Sequence, residues 1–296
     1  MEIEETCGLG LCFGVRRATE ILRREAITHG EIETLGPLAH NRQLMQGLIE
    51  VGITPVDCLE QIRGNIVAIP THGASPEILS QLKARHIHII DTTCPIVQQA
   101  QNAAEELALA GFEVIVFGDA GHSEVKGLLG RTKGSGIVIS DIEQVAAFLK
   151  LSEKEGGFRR LGVISQTTQT WPIFCNFIKQ LMDKFTTWDS DNSEHVFKEL
   201  RVINTLCTAT QERQRAAREL AQRAQLMIVV GGYDSANTIR LTEICSPIVE
   251  TYQVERADEV DSYWITGKQH IGITAGASTP EEIIRDVVNR LKSFVE

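Results

Sequence analysis

A chain of 296 residues, 43% hydrophobic and 23% charged, carries enough apolar material for a sizeable core spread over two or three domains. Its net charge of −10, with no block of Lys or Arg, argues against a nucleic-acid surface. No apolar run approaches the roughly 20 residues of a membrane span, and the acidic start Met1–Thr6 lacks the apolar segment of a signal peptide, so a cytoplasmic protein with no membrane partner is expected.

Val15, Ala18, Ile21 and Leu22 form an apolar stripe at helical spacing, directly after Cys12 in Gly10-Leu-Cys-Phe-Gly14. From there one unit recurs: a short β-branched strand, a polar loop, then an amphipathic helix. Strand 65–70 runs into Thr71-His72-Gly73-Ala74-Ser75, with a helix from Pro76. His86 and His88 alternate with Ile87 and Ile89, as on the polar face of a strand. Asp91-Thr-Thr-Cys94 follows, and Pro95 suits the first position of a helix. Strand 113–117 leads to Gly118-Asp-Ala-Gly-His-Ser-Glu124, and strand 161–165 leads to Gln166-Thr-Thr-Gln-Thr170. Polar stretches 151–158 and 187–195 read as connections, the second as a domain boundary. Thr208 and Gln211 match a capping box directly after Cys207. Strand 226–230 runs into 231–237, and strand 270–274 into 275–279, where Pro280 opens the last helix. The alternation predicts an α/β protein with mainly parallel sheets, and ligands beyond the carboxyl ends of the strands. Domains are expected near 1–94, 95–200 and 201–296.

Seven cysteines, an odd number without small-domain spacing, point to metal binding or catalysis more than to disulfides. Cys12, Cys94 and Cys207 fall about one per third of the chain, each just before a helix start. A helix N-terminus favours the thiolate. Three converging thiolates would hold a soft metal centre with one coordination position open, the layout of a catalytic iron–sulfur cluster. Two or three of them with His122 could instead hold zinc. Cys175 and Cys245 lie in apolar helical surroundings and read as packing, and Cys58 reads as structural. Cys7 forms C-x4-C with Cys12, but no helix starts there. The strand-end loops are rich in Ser, Thr, Asn, His and Gly, which makes a donor-rich anion site. They contain neither a phosphate-binding Gly-x4-Gly-Lys loop nor a dinucleotide fingerprint. His122-Ser123-Glu124 puts a proton carrier and a carboxylate at one strand end.

Taken together and in order, these motifs resemble the LytB/IspH family of 4-hydroxy-3-methylbut-2-enyl diphosphate reductases, nearly end to end. The resemblance rests on Gly-Leu-Cys-Phe-Gly-Val (10–15), His40-Asn41, Thr71-His72-Gly73, Asp91-Thr-Thr-Cys-Pro95, Ala120-Gly-His-Ser-Glu124, Gln166-Thr-Thr168, Cys207 with Ala209-Thr210, Ser235-Ala-Asn237 and Thr274-Ala-Gly-Ala-Ser278. It implies three α/β domains in pseudo-threefold arrangement around one [4Fe–4S] cluster per chain. Cys12, Cys94 and Cys207 would be its ligands, with the fourth iron open to the substrate hydroxyl. It implies loss of that hydroxyl with two electrons and protons, giving isopentenyl and dimethylallyl diphosphate, the last step of the non-mevalonate (MEP/DOXP) route. The diphosphate would meet His40, His72, Ser235, Asn237 and Ser278, with His122 nearby, and Glu124 aided by Thr167 would be the acid. Ala236 stands where some members carry a second Ser in this loop. With no flavin or nucleotide motif, electrons would come from a ferredoxin or flavodoxin. A rival reading is a non-redox [4Fe–4S] hydro-lyase, which would turn over without a reductant.

Overall fold

The computed structural model describes residues 1–145, 160–191 and 198–294. Its elements, in chain order, are β1 (Glu2–Glu5), α1 (Phe13–His29), β2 (Ile32–Leu35), α2 (Arg42–Ile49), β3 (Ile53–Val56), β4 (Ile66–Ile69), α3 (Pro76–Ala84), β5 (His88–Asp91), α4 (Pro95–Leu109), β6 (Glu113–Phe117), α5 (Ser123–Arg131), β7 (Gly136–Ile139), β8 (Arg160–Ser165), α6 (Trp171–Asp191), β9 (Glu199–Val202), α7 (Thr208–Ala221), β10 (Leu226–Val230), α8 (Ala236–Cys245), β11 (Thr251–Val254), α9 (Ser262–Ile265), β12 (His270–Ala275) and α10 (Glu281–Lys292). They build three four-stranded sheets, ordered β3-β2-β4-β5, β7-β6-β8-β9 and β1-β12-β10-β11. Every strand pair is parallel. The expected α/β class with parallel sheets is what the chain forms.

By compactness the chain divides into two units, one of residues 1–71, 87–92 and 208–296, the other of 72–86 and 93–207. The first holds two of the sheets. In one of them β10, Leu-Met-Ile-Val-Val, is buried at all five positions and pairs Leu226 with Ile271 through Val230 with Ala275. A strand covered on both faces has no polar side, so it reads as an unbroken apolar run. β1 pairs with β12, so the N-terminal strand belongs to the sheet of the last third of the chain. The second unit holds the β7-β6-β8-β9 sheet. One core of this unit gathers Phe117, Phe174 and Phe177, with the Phe117 and Phe177 rings 4.4 Å apart. In another core α4 lies so close to β8 that a Cβ on Gly162 would sit 2.8 Å from the Leu107 side chain. Each fully buried Leu or Ile of these cores contributes about 1.5–3 kcal/mol.

Several local expectations are corrected. β5 begins at His88, and His86 sits before it with φ +58, in a left-handed turn rather than on the strand. Residues 187–191 belong to α6, not to a connection. Cys175 is exposed; on α6 the buried stripe is Phe174, Phe177, Leu181 and Phe185, and Cys175 lies one position off it. Cys245 is buried, as expected. α7 already begins at Thr208, which makes Cys207 the residue before the helix and places the capping-box pattern one residue late. The expected connections at 151–158 and 192–195, and His195 within the second, lie outside the described residues. Among those described, no helix is long and apolar enough to cross a membrane.

Candidate active site

In the unit of residues 72–86 and 93–207, the turn after β6 is tied down by Gly121 N–H donating to Asp119 Oδ1 at 2.8 Å and His122 N–H to Asp119 O at 3.0 Å. His122 then caps α5, its Nδ1 accepting from Glu124 N–H at 3.1 Å. An accepting Nδ1 puts the proton of a neutral imidazole on Nε2, which is left as a donor. The start of α5 turns Glu124 inward, where it is 3% exposed. Thr167, in the turn after β8, meets that carboxyl twice: its N–H donates to Oε1 at 2.6 Å and its Oγ to Oε2 at 2.9 Å. Burial pushes the Glu124 carboxyl above the ordinary range, and the two Thr167 donors oppose that push. The same Thr167 accepts, through its carbonyl, the N–H of Cys207 at 2.9 Å. One residue therefore ties the buried acid to the main chain of a predicted cluster ligand. Cys94 is the N-cap residue of α4, with Pro95 opening the helix. His72 is buried beside Gly73, whose φ of +79 and approach to Gln101 require glycine.

In the other unit, Cys12 is the N-cap of α1 and its sulfur makes no capping hydrogen bond. Its N–H donates to Ala277 O at 2.8 Å, which sets the cysteine beside the loop carrying Ser278. Ser278 is buried and its Oγ donates to His40 O at 3.4 Å. Ser235 is the N-cap of α8, accepting from Thr238 N–H. Ala236 is the first residue of that helix. Asn237 is 5% exposed, and neither Oδ1 nor Nδ2 has a hydrogen-bond partner. A buried amide with both atoms orphaned costs stability, and a polar ligand would relieve that cost. His40 is held below the ordinary imidazole range by burial, against the pull of Asp234, so it is neutral near pH 7. Gly232 approaches so closely that a Cβ there would lie 2.7 Å from His40 O. Next to His40 is a cavity of about 170 Å³, also lined by Asn41, Arg42, Gly232, Asp234 and Glu255. Asn41 is a structural cap, accepting from Leu44 N–H at 2.8 Å.

Two buried charged residues of this unit escaped the sequence reading. Glu255 accepts from Tyr233 N–H at 2.9 Å and so holds the loop before α8. Arg213 donates to the carbonyls of Gly10, Ala275 and Gly276. Its signal was its position: Thr210, Arg213, Gln214, Ala217 and Leu220 recur at helical spacing and are the buried face of α7, so a cation stands on the same face as Ala217 and Leu220.

None of the seven cysteines is in a disulfide, and Cys12, Cys94 and Cys207 are half-buried. Half-buried thiols at helix starts are suitable donors for an iron–sulfur cluster. Among the described residues, the one group of three or more His, Cys or carboxylate side chains close enough to share an ion is Glu2, Glu4 and His270. There Glu4 is already engaged by Arg223 and His270.

The family model of the LytB protein matches residues 4–292. The chain is 41% identical over 294 residues, 99% of each chain, to the 4-hydroxy-3-methylbut-2-enyl diphosphate reductase of Dehalococcoides mccartyi strain 195. It is 37% identical over 295 residues, 99% of this chain and 98% of the relative, to the protein of that name from Geobacter sulfurreducens. A solved (E)-4-hydroxy-3-methyl-but-2-enyl diphosphate reductase, described as the terminal enzyme of the non-mevalonate pathway, matches with TM-score 0.69 at 34% identity, over 99% of this chain and all of that one. The Plasmodium falciparum reductase structure matches with TM-score 0.85 over 97% of this chain and 87% of that one, and at 23% identity shows likeness of fold alone.

Proposed function

The chain belongs to the LytB protein family, and on that premise we propose that it reductively removes the allylic hydroxyl of (E)-4-hydroxy-3-methylbut-2-enyl diphosphate. The products are isopentenyl and dimethylallyl diphosphate. The reaction takes two electrons and two protons and releases one water. Cys12, Cys94 and Cys207 would hold one [4Fe–4S] cluster. When bound, that cluster supplies the electrons and, at an iron lacking a protein ligand, a Lewis acid for the substrate hydroxyl.

The rest of the chemistry belongs to the chain's own side chains. His40, His72, Ser235, Asn237 and Ser278 bind the diphosphate, assisted by the N-terminus of α8. Asn237 gains the partners it lacks, and an anion at a helix N-terminus also meets the unpaired N–H groups there. Ala236 offers no hydroxyl, so the α8 loop relies on Ser235 and Asn237. His122 presents its Nε2–H toward substrate. Glu124, whose carboxyl burial pushes toward the protonated form, gives a proton to the departing hydroxyl, which leaves as water. Thr167 holds the carboxyl in one orientation through two hydrogen bonds. Electrons arrive from outside the chain, from a ferredoxin or flavodoxin.

The observation that carries this reading is the Thr167 bridge, which joins the buried Glu124 carboxyl to the Cys207 main chain. The test is Glu124→Gln in anaerobically purified protein with a chemical reductant. Iron, acid-labile sulfide and pyrophosphate binding should stay near wild type, while turnover falls about 10²- to 10⁴-fold. Near-normal turnover in the variant removes Glu124 from the mechanism. Zinc in place of iron, or turnover by the wild type without reductant, overturns the assignment as a reductase.

A further inference from the structure

Among the described residues, Arg213 is the single lysine or arginine whose side chain is buried, at 7% exposed. A guanidinium is costly to bury unless its donors are satisfied. Here they reach main-chain oxygens in two separate places, where β12 passes into the loop that follows it and in the loop before α1. One terminal nitrogen donates to Ala275 O at 2.8 Å and Gly276 O at 3.3 Å; the other donates to Gly10 O at 3.1 Å. The first loop carries Ser278, and the second ends in Cys12. A main-chain bond from Cys12 N–H to Ala277 O at 2.8 Å runs between them. Gly10 is held at φ +86, in the left-handed region, and a Cβ there would lie 2.8 Å from the Glu281 side chain.

We infer that Arg213 is a positioning residue that couples the cysteine loop to the anion loop, so that the Cys12 sulfur and the Ser278 hydroxyl are set by one guanidinium. The inference rests on the assignment of Cys12 to the cluster and of Ser278 to the diphosphate. The planar fork matters as much as the charge. Its two terminal nitrogens are fixed in relation to each other and serve one loop each, whereas a lysine would have to serve both from one ammonium nitrogen, without the fixed spacing of the fork. Binding of a diphosphate at the Ser278 loop therefore restrains the Cys12 loop as well.

The test is amide hydrogen exchange on the full chain, without and with its cluster, in wild type, Arg213→Lys and Arg213→Met. Arg213→Lys should speed exchange at Cys12 and at residues 276–278 together, while amides of β6 and β8 keep their wild-type rates. In loaded Arg213→Lys, iron release to a chelator should quicken and the Kd for inorganic pyrophosphate should rise, each about 10- to 100-fold, the usual effect of losing a supporting partner of a ligand. Unchanged exchange at both loops, or a change confined to one, overturns the coupling. So does a uniform rise in exchange over both units, which marks a residue of general stability only. If Arg213→Met does not fold, Arg213→Lys alone decides. A wild type that holds no iron and ignores pyrophosphate would sink the reductase reading instead. That outcome is told apart because the exchange readout without cluster depends on neither ligand.

Discussion

Replacing Thr167 with valine keeps the side-chain shape and the main-chain donor. It deletes only the Oγ–H that meets Glu124 Oε2 at 2.9 Å. The amide N–H, 2.6 Å from Oε1, then holds the carboxyl by itself. A hydrogen bond to a charged group is worth about 1.5–3 kcal/mol. About 1.4 kcal/mol corresponds to a tenfold change in an ionisation equilibrium. Burial already raises the Glu124 carboxyl, and the Thr167 donors are what oppose it, so losing one disfavours the carboxylate further. A general acid works only while protonated, and turnover falls on the alkaline side as it ionises. In Thr167→Val that alkaline limb should move to higher pH by about one to two pH units. Thr167→Ser, which restores the hydroxyl, should bring it back. The assay is turnover of the loaded protein with excess reductant across the neutral and alkaline range. The position of the limb is insensitive to how much of the sample carries cluster. A limb that stays in place, or moves to lower pH, would refute both the role of Glu124 as acid and that of Thr167 in tuning it.

Asn237→Ala should leave the melting temperature of the unliganded protein unchanged or raised, because it removes an orphaned buried amide. The same change should weaken pyrophosphate binding about tenfold or more, as read by calorimetry. A lower melting temperature with unchanged affinity would make Asn237 a structural residue. Cys12→Ser, Cys94→Ser and Cys207→Ser should each lower the iron and sulfide found per chain, whereas Cys7→Ser and Cys175→Ser, both at exposed positions, should not. Iron lost from Cys7→Ser alone would replace the ligand set.

Much of the local structure was legible because it depends on periodicity and on a few restricted residues. The runs at 113–117 and 226–230 match β6 and β10 to the residue, since parallel strands covered on both faces have no polar side. Pro76 and Pro95 marked helix starts because proline suits the first helical position. Apolar neighbours do not bury Cys175, because a 100° step per residue puts it off the stripe formed by Phe174, Phe177 and Leu181. His86 alternates with isoleucine in the sequence, but a left-handed turn stands there instead of a strand.

Sequence alone therefore carried the class of fold, the family resemblance and the donors at each strand end, because each is written in residues close together in the chain. Tertiary structure decided which distant segments meet. β1 joins β12, although Glu2 and His270 are far apart in the chain. Thr167 reaches both Glu124 and Cys207, and Arg213 reaches both Gly10 and Ala275. No local pattern encodes such partnerships. They are chosen by which buried donors and acceptors the packed elements leave to satisfy one another, and that is settled only once the sheets and helices have closed around them.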